Sequence, residues 1–336
     1  MTAMLLAWAK FGVCALLIGF AGPALTRYGD IISRRTGVSR TWIGLILLAT
    51  ATSLPELFTG ISAVTVADAP NIAVGDALGS CVFNLLMLVV LDALSRDEPL
   101  YRRIDQGHIL TAGFGVILIG SAGALVLLSG NGLGFQFMHI SVYAPFIIVL
   151  YLVAMRAAFV YDRRTTLAPP IIKDRSTVTL TMALTRYAAA AAVVAGAGSW
   201  LPFIGQDIAE AMGWRTTFVG TLFIAGATSL PELVVTISAL RLGAVDMAIG
   251  NILGSNLFDV LILALDDIAY TKGSLFASVS PTHAVTAFAA VIMSGLFIVA
   301  LLYRPETRFR GTIGWVGLCL LIVYLLSSYA VYLHGH

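Results

Sequence analysis

Charge is what this sequence has least of. Of its 336 residues, 11% are Asp, Glu, Lys or Arg and 59% are hydrophobic. A soluble domain carries roughly a quarter charged residues and somewhat under half apolar ones. The chain therefore has too little polar surface to cover a water-soluble globule. Cysteine is nearly as sparse: Cys14, Cys81 and Cys319 stand alone in apolar stretches and form no C-x-x-C pair. That spacing excludes a disulfide framework or a zinc site and leaves the three as small core residues. The five histidines show no ligand spacing, and a formal net charge of +2 offers no surface to nucleic acid or to an acidic partner. EF-hand loops, phosphate-cradling glycine loops followed by Lys, and low-complexity tracts are all missing. What remains is an all-α integral membrane protein whose surroundings are the lipid bilayer.

A helix needs about 20 mostly apolar residues to cross a bilayer. Spans are expected near 4–28, 41–66, 71–92, 107–129, 139–161, 179–203, 216–240, 246–265, 283–302 and 312–333, ten in all. The first runs on without a small-residue cleavage site, so it reads as a span and not as a signal peptide. The longest connection, 162–178 with Pro169 and Pro170, is too short for a folded domain. It divides the chain into five-helix halves, 1–161 and 179–336. Seventeen of the twenty Lys and Arg residues fall at the odd-numbered connections, leaving only Lys10, Arg215 and Lys272 on the other side. Basic residues favour the cytoplasm. Both termini are therefore expected outside, with a bacterial or archaeal inner membrane as the default location.

The chain also repeats itself. Residues 49–57, ATATSLPEL, match 225–233, AGATSLPEL, and Ile61-Ser62-Ala63 matches Ile237-Ser238-Ala239. Further on, 75–84, GDALGSCVFN, matches 250–259, GNILGSNLFD. Glu56 and Glu232 are 176 apart, Asn84 and Asp259 are 175 apart. Five spans, an odd number, separate equivalent helices, so the two copies cross the membrane in opposite senses. Inverted repeats of this kind build many secondary transporters, with the site near the midplane where the repeats meet.

The repeated residues carry cation chemistry. Pro55 and Pro231 lack an N–H, so each breaks its helix in mid-span and frees main-chain carbonyls. Thr52, Ser53, Thr228 and Ser229 place hydroxyls at the same breaks. Glu56, Glu232 and Asp259 are acids deep in the membrane, where a charge is costly and functional by default. Ser80 with Asn84, and Ser255 with Asp259, are four residues apart and share a helix face. Gly79 and Gly254 permit close approach to the broken helices. Every donor in the pooled set is an oxygen or an amide, which suits Ca²⁺ or Na⁺ and not copper or zinc. Asp76 stands where the second copy has Asn251, and reads as a solvated acid at a span start or, less favoured, as a fourth acid at the site. Asp92, Asp266 and Asp267 lie at span ends and read as interfacial. No His or Lys base is paired with a serine motif, so an intramembrane enzyme is not expected.

These blocks resemble the two alpha-repeats of the sodium/calcium exchanger branch of the cation/calcium antiporter superfamily, most strongly over 44–86 and 220–261. The resemblance implies an antiporter that exchanges Na⁺ for Ca²⁺ by alternating access, with the first and sixth helices sliding as a gate. It implies that Glu56 and Glu232 are the shared central carboxylates. Thr52, Ser80 and the Ala49 carbonyl would join Glu56 in one sodium site, nearer the cytoplasm. Thr228, Ser255 and the Ala225 carbonyl would join Glu232 in its outer counterpart. Asn84 and Asp259 would complete the middle, with Ser53 and Ser229 lining the passages. Ca²⁺ and Na⁺ would be cargo, no cofactor is implied, and a monomer would suffice as the transport unit. The Glu/Asn/Glu/Asp quartet resembles the potassium-independent type. An H⁺- or K⁺-linked exchanger of Ca²⁺ or another divalent ion on the same scaffold is the alternative. Orientation has a direct check: a reporter active only outside the cytoplasm should be active when fused after His336 and silent when fused within 163–177, and the opposite pattern would invert the topology.

Overall fold

A computed structural model describes residues 2–95, 98–165, 178–212, 225–305, 308–309 and 313–334. Residues 166–177 of the expected linker, residues 216–224 of the seventh span, and Arg96, Lys173, Arg175, Arg215 and Arg310 lie outside these described residues. The chain opens with α1 (Thr2–Thr36), followed by α2 (Arg40–Thr52), α3 (Leu54–Thr65) and α4 (Pro70–Leu94). Next come α5 (His108–Leu128), α6 (Tyr143–Thr165) and α7 (Leu180–Met212). The short α8 (Ala225–Thr228) leads into α9 (Leu230–Arg241) and α10 (Val245–Ala269). Helices α11 (His283–Tyr303) and α12 (Trp315–His334) complete the chain. Eight helices among the described residues are long and apolar enough to cross a membrane, and α2 with α3, bent by 41° at their break, make a ninth.

The helices overrun their apolar cores. α1 continues past 28 through a polar turn in which Asp30 pairs with Arg34 at 2.6 Å and with Arg40 at 2.7 Å. It stops at Gly37, whose φ of +72° suits a residue without a Cβ and whose N–H reaches the Ser33 carbonyl at 2.9 Å. Ser39 then caps α2 by accepting the Trp42 N–H at 3.0 Å. Two spans start later than expected because small antiparallel hairpins precede them. β1 (Gln136–Phe137) and β2 (Ile140–Ser141) lead into α6, while β3 (Arg308–Phe309) and β4 (Ile313–Gly314) lead into α12.

Helices α4 and α10 are the most buried, and α1, α6 and α12 the least. The outer helices present Leu16, Phe20, Leu152 and Leu326 to the surroundings at 59% exposure or more. Such a surface is stable against hydrocarbon and unstable against water. The α2–α10 contact depends on missing side chains. A Cβ on Gly254 would overlap the Leu45 carbonyl oxygen and stand 2.8 Å from the Ala49 Cβ. A Cβ on Gly44 would strike the Met247 carbonyl oxygen. Inside α2, residues Ile43–Leu48 widen into a π-helix against this same surface.

The span-end acids correct an expectation. Asp92, Asp266 and Asp267, read as interfacial acids, are buried inside the protein. Asp92 accepts the Gly314 N–H at 2.9 Å, and Asp267 accepts the N–H groups of Ser141 and Leu275, each at 2.8 Å. Each hairpin is thus held by an acid from the other half of the chain. The apolar-run count missed this because it sees neither the hairpins nor the N–H groups they turn inward. Gly254→Leu should overpack the α2–α10 contact and cost about 1–3 kcal/mol. A melting temperature for the purified variant equal to that of the wild type would contradict this packing.

Candidate functional site

Both helix breaks fall on a serine. Ser53 has φ −90° and ψ 8°, and Ser229 has φ −81° and ψ 8°. The proline two residues on sits in the first turn of the following helix, where its missing N–H costs nothing, and the glutamate after it lies in that same first turn. Glu56 and Glu232 are therefore held at helix N-termini, whose dipoles favour negative charge. The two breaks meet at Gly198 of α7. A Cβ there would overlap Pro55 and lie 3.3 Å from Pro231 Cγ.

The hydroxyl and amide bonds at the breaks run across the two copies of the motif. Ser53 donates to Glu232 Oε1 at 3.1 Å, and Ser229 donates to the Ser80 hydroxyl at 3.2 Å. Thr52 donates to Asn251 Oδ1 at 3.4 Å, and Thr228 donates to Asp76 Oδ1 at 3.1 Å. At the centre, Asn84 Nδ2 donates to Asp259 Oδ2 at 3.3 Å. Glu56 lies within electrostatic reach of Glu232, Asp259 and Asp76. The Ala49 carbonyl accepts the Ser53 N–H at 2.9 Å and the Thr52 hydroxyl at 3.3 Å, so part of its acceptor capacity is taken. Ala225 is the first residue of α8, beside this cluster in sequence.

Many oxygens here lack a partner. Among the described residues, both Glu56 oxygens, Glu232 Oε2, Asp259 Oδ1, Asp76 Oδ2, Asn84 Oδ1 and Ser255 Oγ are buried without a hydrogen bond. Each unpaired buried acceptor costs about 1–3 kcal/mol. Seven together reach on the order of 10 kcal/mol, comparable with the whole stability of a domain. A hard cation, which wants several oxygen ligands, offsets that cost. No three His, Cys, Asp or Glu side chains among the described residues converge tightly enough to hold a metal ion alone. An ion bound here would thus complete its shell with amide, hydroxyl and main-chain oxygens.

Two sequence readings change. Asp76 is 2% exposed and belongs to the cluster, which overturns its favoured reading as a solvated acid. Its position two turns inside α4, facing Thr228, removes it from solvent. Cys81 is more than a small core residue: its thiol points at Asp259 Oδ2 and the Asn256 carbonyl, each at 3.8 Å. The sequence reading also passed over Asn251, which bridges Thr52 to Thr236 by donating to the Thr236 hydroxyl at 3.0 Å. The repeat register held the signal, since Asn251 is the counterpart of Asp76.

Comparison with known proteins identifies the family. Residues 6–163 and 182–333 match the family described as sodium/calcium exchanger protein. The chain belongs to that family. Within it, this exchanger-family protein is 29% identical to the sodium/calcium exchanger MaX1 of Methanosarcina acetivorans, over 71% of this chain and 76% of that one. It is 27% identical to the inner membrane protein YrbG of Escherichia coli K12, over 80% of this chain and 84% of its relative. The solved structure of the sodium-calcium exchanger NCX_Mj soaked with 10 mM Na⁺ shares the fold at a TM-score of 0.73 and 22% identity. That match covers 96% of this chain and 98% of the other.

The cluster makes a binding prediction. A hard divalent cation should raise the melting temperature of the purified protein, and Glu56→Gln should remove most of that rise. An undiminished shift in the variant would place the ion elsewhere.

Proposed function

We propose that this protein is a Na⁺/Ca²⁺ antiporter in which the two ions compete for the carboxylates of Glu56, Glu232 and Asp259. The observation that carries the reading is the set of buried, unpartnered oxygens contributed by both copies of the motif. Family membership and the likeness to MaX1, a sodium/calcium exchanger, support it. In this reading Thr52, Ser80, Glu56 and the Ala49 carbonyl bind Na⁺ on the cytoplasmic side. Thr228, Ser255, Glu232 and the Ala225 carbonyl bind it on the outer side. Asn84 and Asp259 complete the central site, and Ser53 and Ser229 line the approaches. Ca²⁺ and Na⁺ are cargo, and no resident cofactor takes part.

The coupling has a physical cause. Na⁺ bound to a shared carboxylate lowers the negative potential that Ca²⁺ needs, and Ca²⁺ does the same to Na⁺, so each ion expels the other. We propose further that the chain is ten transmembrane helices in two inverted five-helix repeats, 1–161 and 179–336, joined by 162–178. Both termini lie outside a bacterial or archaeal inner membrane, and one chain is the transport unit. Alternating access follows if α1 and α7 slide over the two breaks. The packing of α7 Gly198 on Pro55 and Pro231, and of α1 Gly22 on Val234, supports that reading.

One observation favours a second reading. Asp76 brings a fourth carboxyl to the cluster, which suits exchange of Ca²⁺ or another divalent ion linked to H⁺ or K⁺. Vesicles loaded with Na⁺ should take up Ca²⁺ when external Na⁺ is removed, with pH clamped and K⁺ absent. Glu56→Gln or Glu232→Gln should abolish the uptake. Uptake that needs a pH or K⁺ gradient would select the second reading, and full flux in either variant would sink the site.

A further inference from the structure

The two halves match at the helix breaks but not at every acid. Position for position, Asp76 answers Asn251 and Asp266 answers Leu91, so each extra acid faces a neutral counterpart. Both lie toward the face that carries the connections 66–69 and 270–274, where Lys272 pairs with Asp68 at 2.6 Å. In the proposed orientation this is the outer face. The inner half has neither acid.

Asp266 is fully buried, and neither of its carboxyl oxygens has a hydrogen-bond partner among the described residues. It lies against Gly60 of α3, where a Cβ would overlap the carboxyl and stand 2.8 Å from its Cγ. This continues the seam of the central site. Gly60 is one turn from Glu56 on α3, and Asp266 is two turns from Asp259 on α10, spacings that keep one helix face. At 1.5 Å per residue, Asp266 stands about 10 Å beyond Asp259. Asp76 is near enough to act on it electrostatically, and Asp76 Oδ2 is likewise buried and unpartnered. The adjacent Asp267 makes the contrast: its two oxygens are taken by the N–H groups of Ser141 and Leu275. Asp266 holds no loop.

We propose that Asp266, with Asp76 deeper in, forms a staging site for a divalent cation on the outer approach to the central carboxylates. Two carboxylates, one of them bonded to the Thr228 hydroxyl, are hard oxygen donors, which select a Ca²⁺-like ion. An ion held there is already stripped of part of its water and lies two helical turns from its central site. Approach from the outer side then meets negative potential that approach from the inner side does not. The proposal rests on the antiport reading for its cargo and on the charge count for its sidedness.

Sided flux tests it. Ca²⁺ uptake is measured in right-side-out and inside-out vesicles carrying wild type, Asp266→Asn or Asp76→Asn. One unit charge about 10 Å from a divalent ion at an effective dielectric of 20 changes its affinity on the order of tenfold or more. Asp266→Asn should therefore raise the outer-face half-saturation for Ca²⁺ on the order of tenfold and leave the inner-face value far less changed, whereas Asp76→Asn, within the central cluster, should raise both. Gly60→Ala, which presses on the Asp266 carboxyl without altering charge, should shift the same outer-face constant. Equal constants for wild type and Asp266→Asn on both faces would overturn the proposal and mark Asp266 as a neutral, packed acid. If the wild type exchanges no Ca²⁺, the antiport reading fails, and the purified protein decides the staging site separately. A Ca²⁺-induced melting shift that Asp266→Asn diminishes upholds it, and an equal or absent shift overturns it.

Discussion

A carboxylate surrounded by hydrocarbon is stable only where other groups are arranged for it, and this chain places several such groups together. The rest of the fold answers that requirement. Helix breaks at Ser53 and Ser229 turn N-terminal dipoles and hydroxyls toward Glu56 and Glu232. Glycines at 44 and 254 let α2 and α10 approach until their main chains touch. Asn84 lends its amide to Asp259. What these partners leave unsatisfied is a set of buried oxygens, the donor type that the proposed cation cargo wants.

Near-symmetry makes the departures from symmetry informative. Thr52 reaches an amide on Asn251, whereas Thr228 reaches a carboxyl on Asp76. Thr236 accepts from Asn251, whereas its counterpart Gly60 has no side chain and gives room to Asp266. A duplicated frame would by itself treat the two membrane faces alike. In the proposed orientation, acids on one side and neutral groups on the other give the two faces different electrostatics.

Much of the site was legible because its chemistry is rare in its context. An acid or a proline in a long apolar run stands out, and finding the same pair 176 residues later identifies both copies at once. The cross-copy partners were harder to read. Cys81, Asn251 and Thr236 look like ordinary membrane-helix residues, and only the fold shows which oxygen each one faces. Burial of Asp92 and Asp267 was illegible for a different reason. Their partners are N–H groups of two-residue strands, and no side-chain pattern announces a main-chain donor. Helix ends were misjudged where ion pairs such as Asp30 with Arg34 carry the helix into water beyond its apolar run.

The exchanged hairpin bonds bear on how the protein is made. Asp92 emerges early, and the N–H it accepts belongs to Gly314, 222 residues later. At a synthesis rate of about 5–20 residues per second, that donor arrives roughly 10–40 s afterwards. Asp267 and Ser141 impose a similar wait in the opposite direction, the donor arriving before its acceptor. Neither half can finish its own polar contacts while it is being inserted. Each must leave one of these bonds unmade, inside the bilayer or at the water surface, until the other half has been threaded. Assembly is thereby delayed until Gly314 has been made, and the two halves close together.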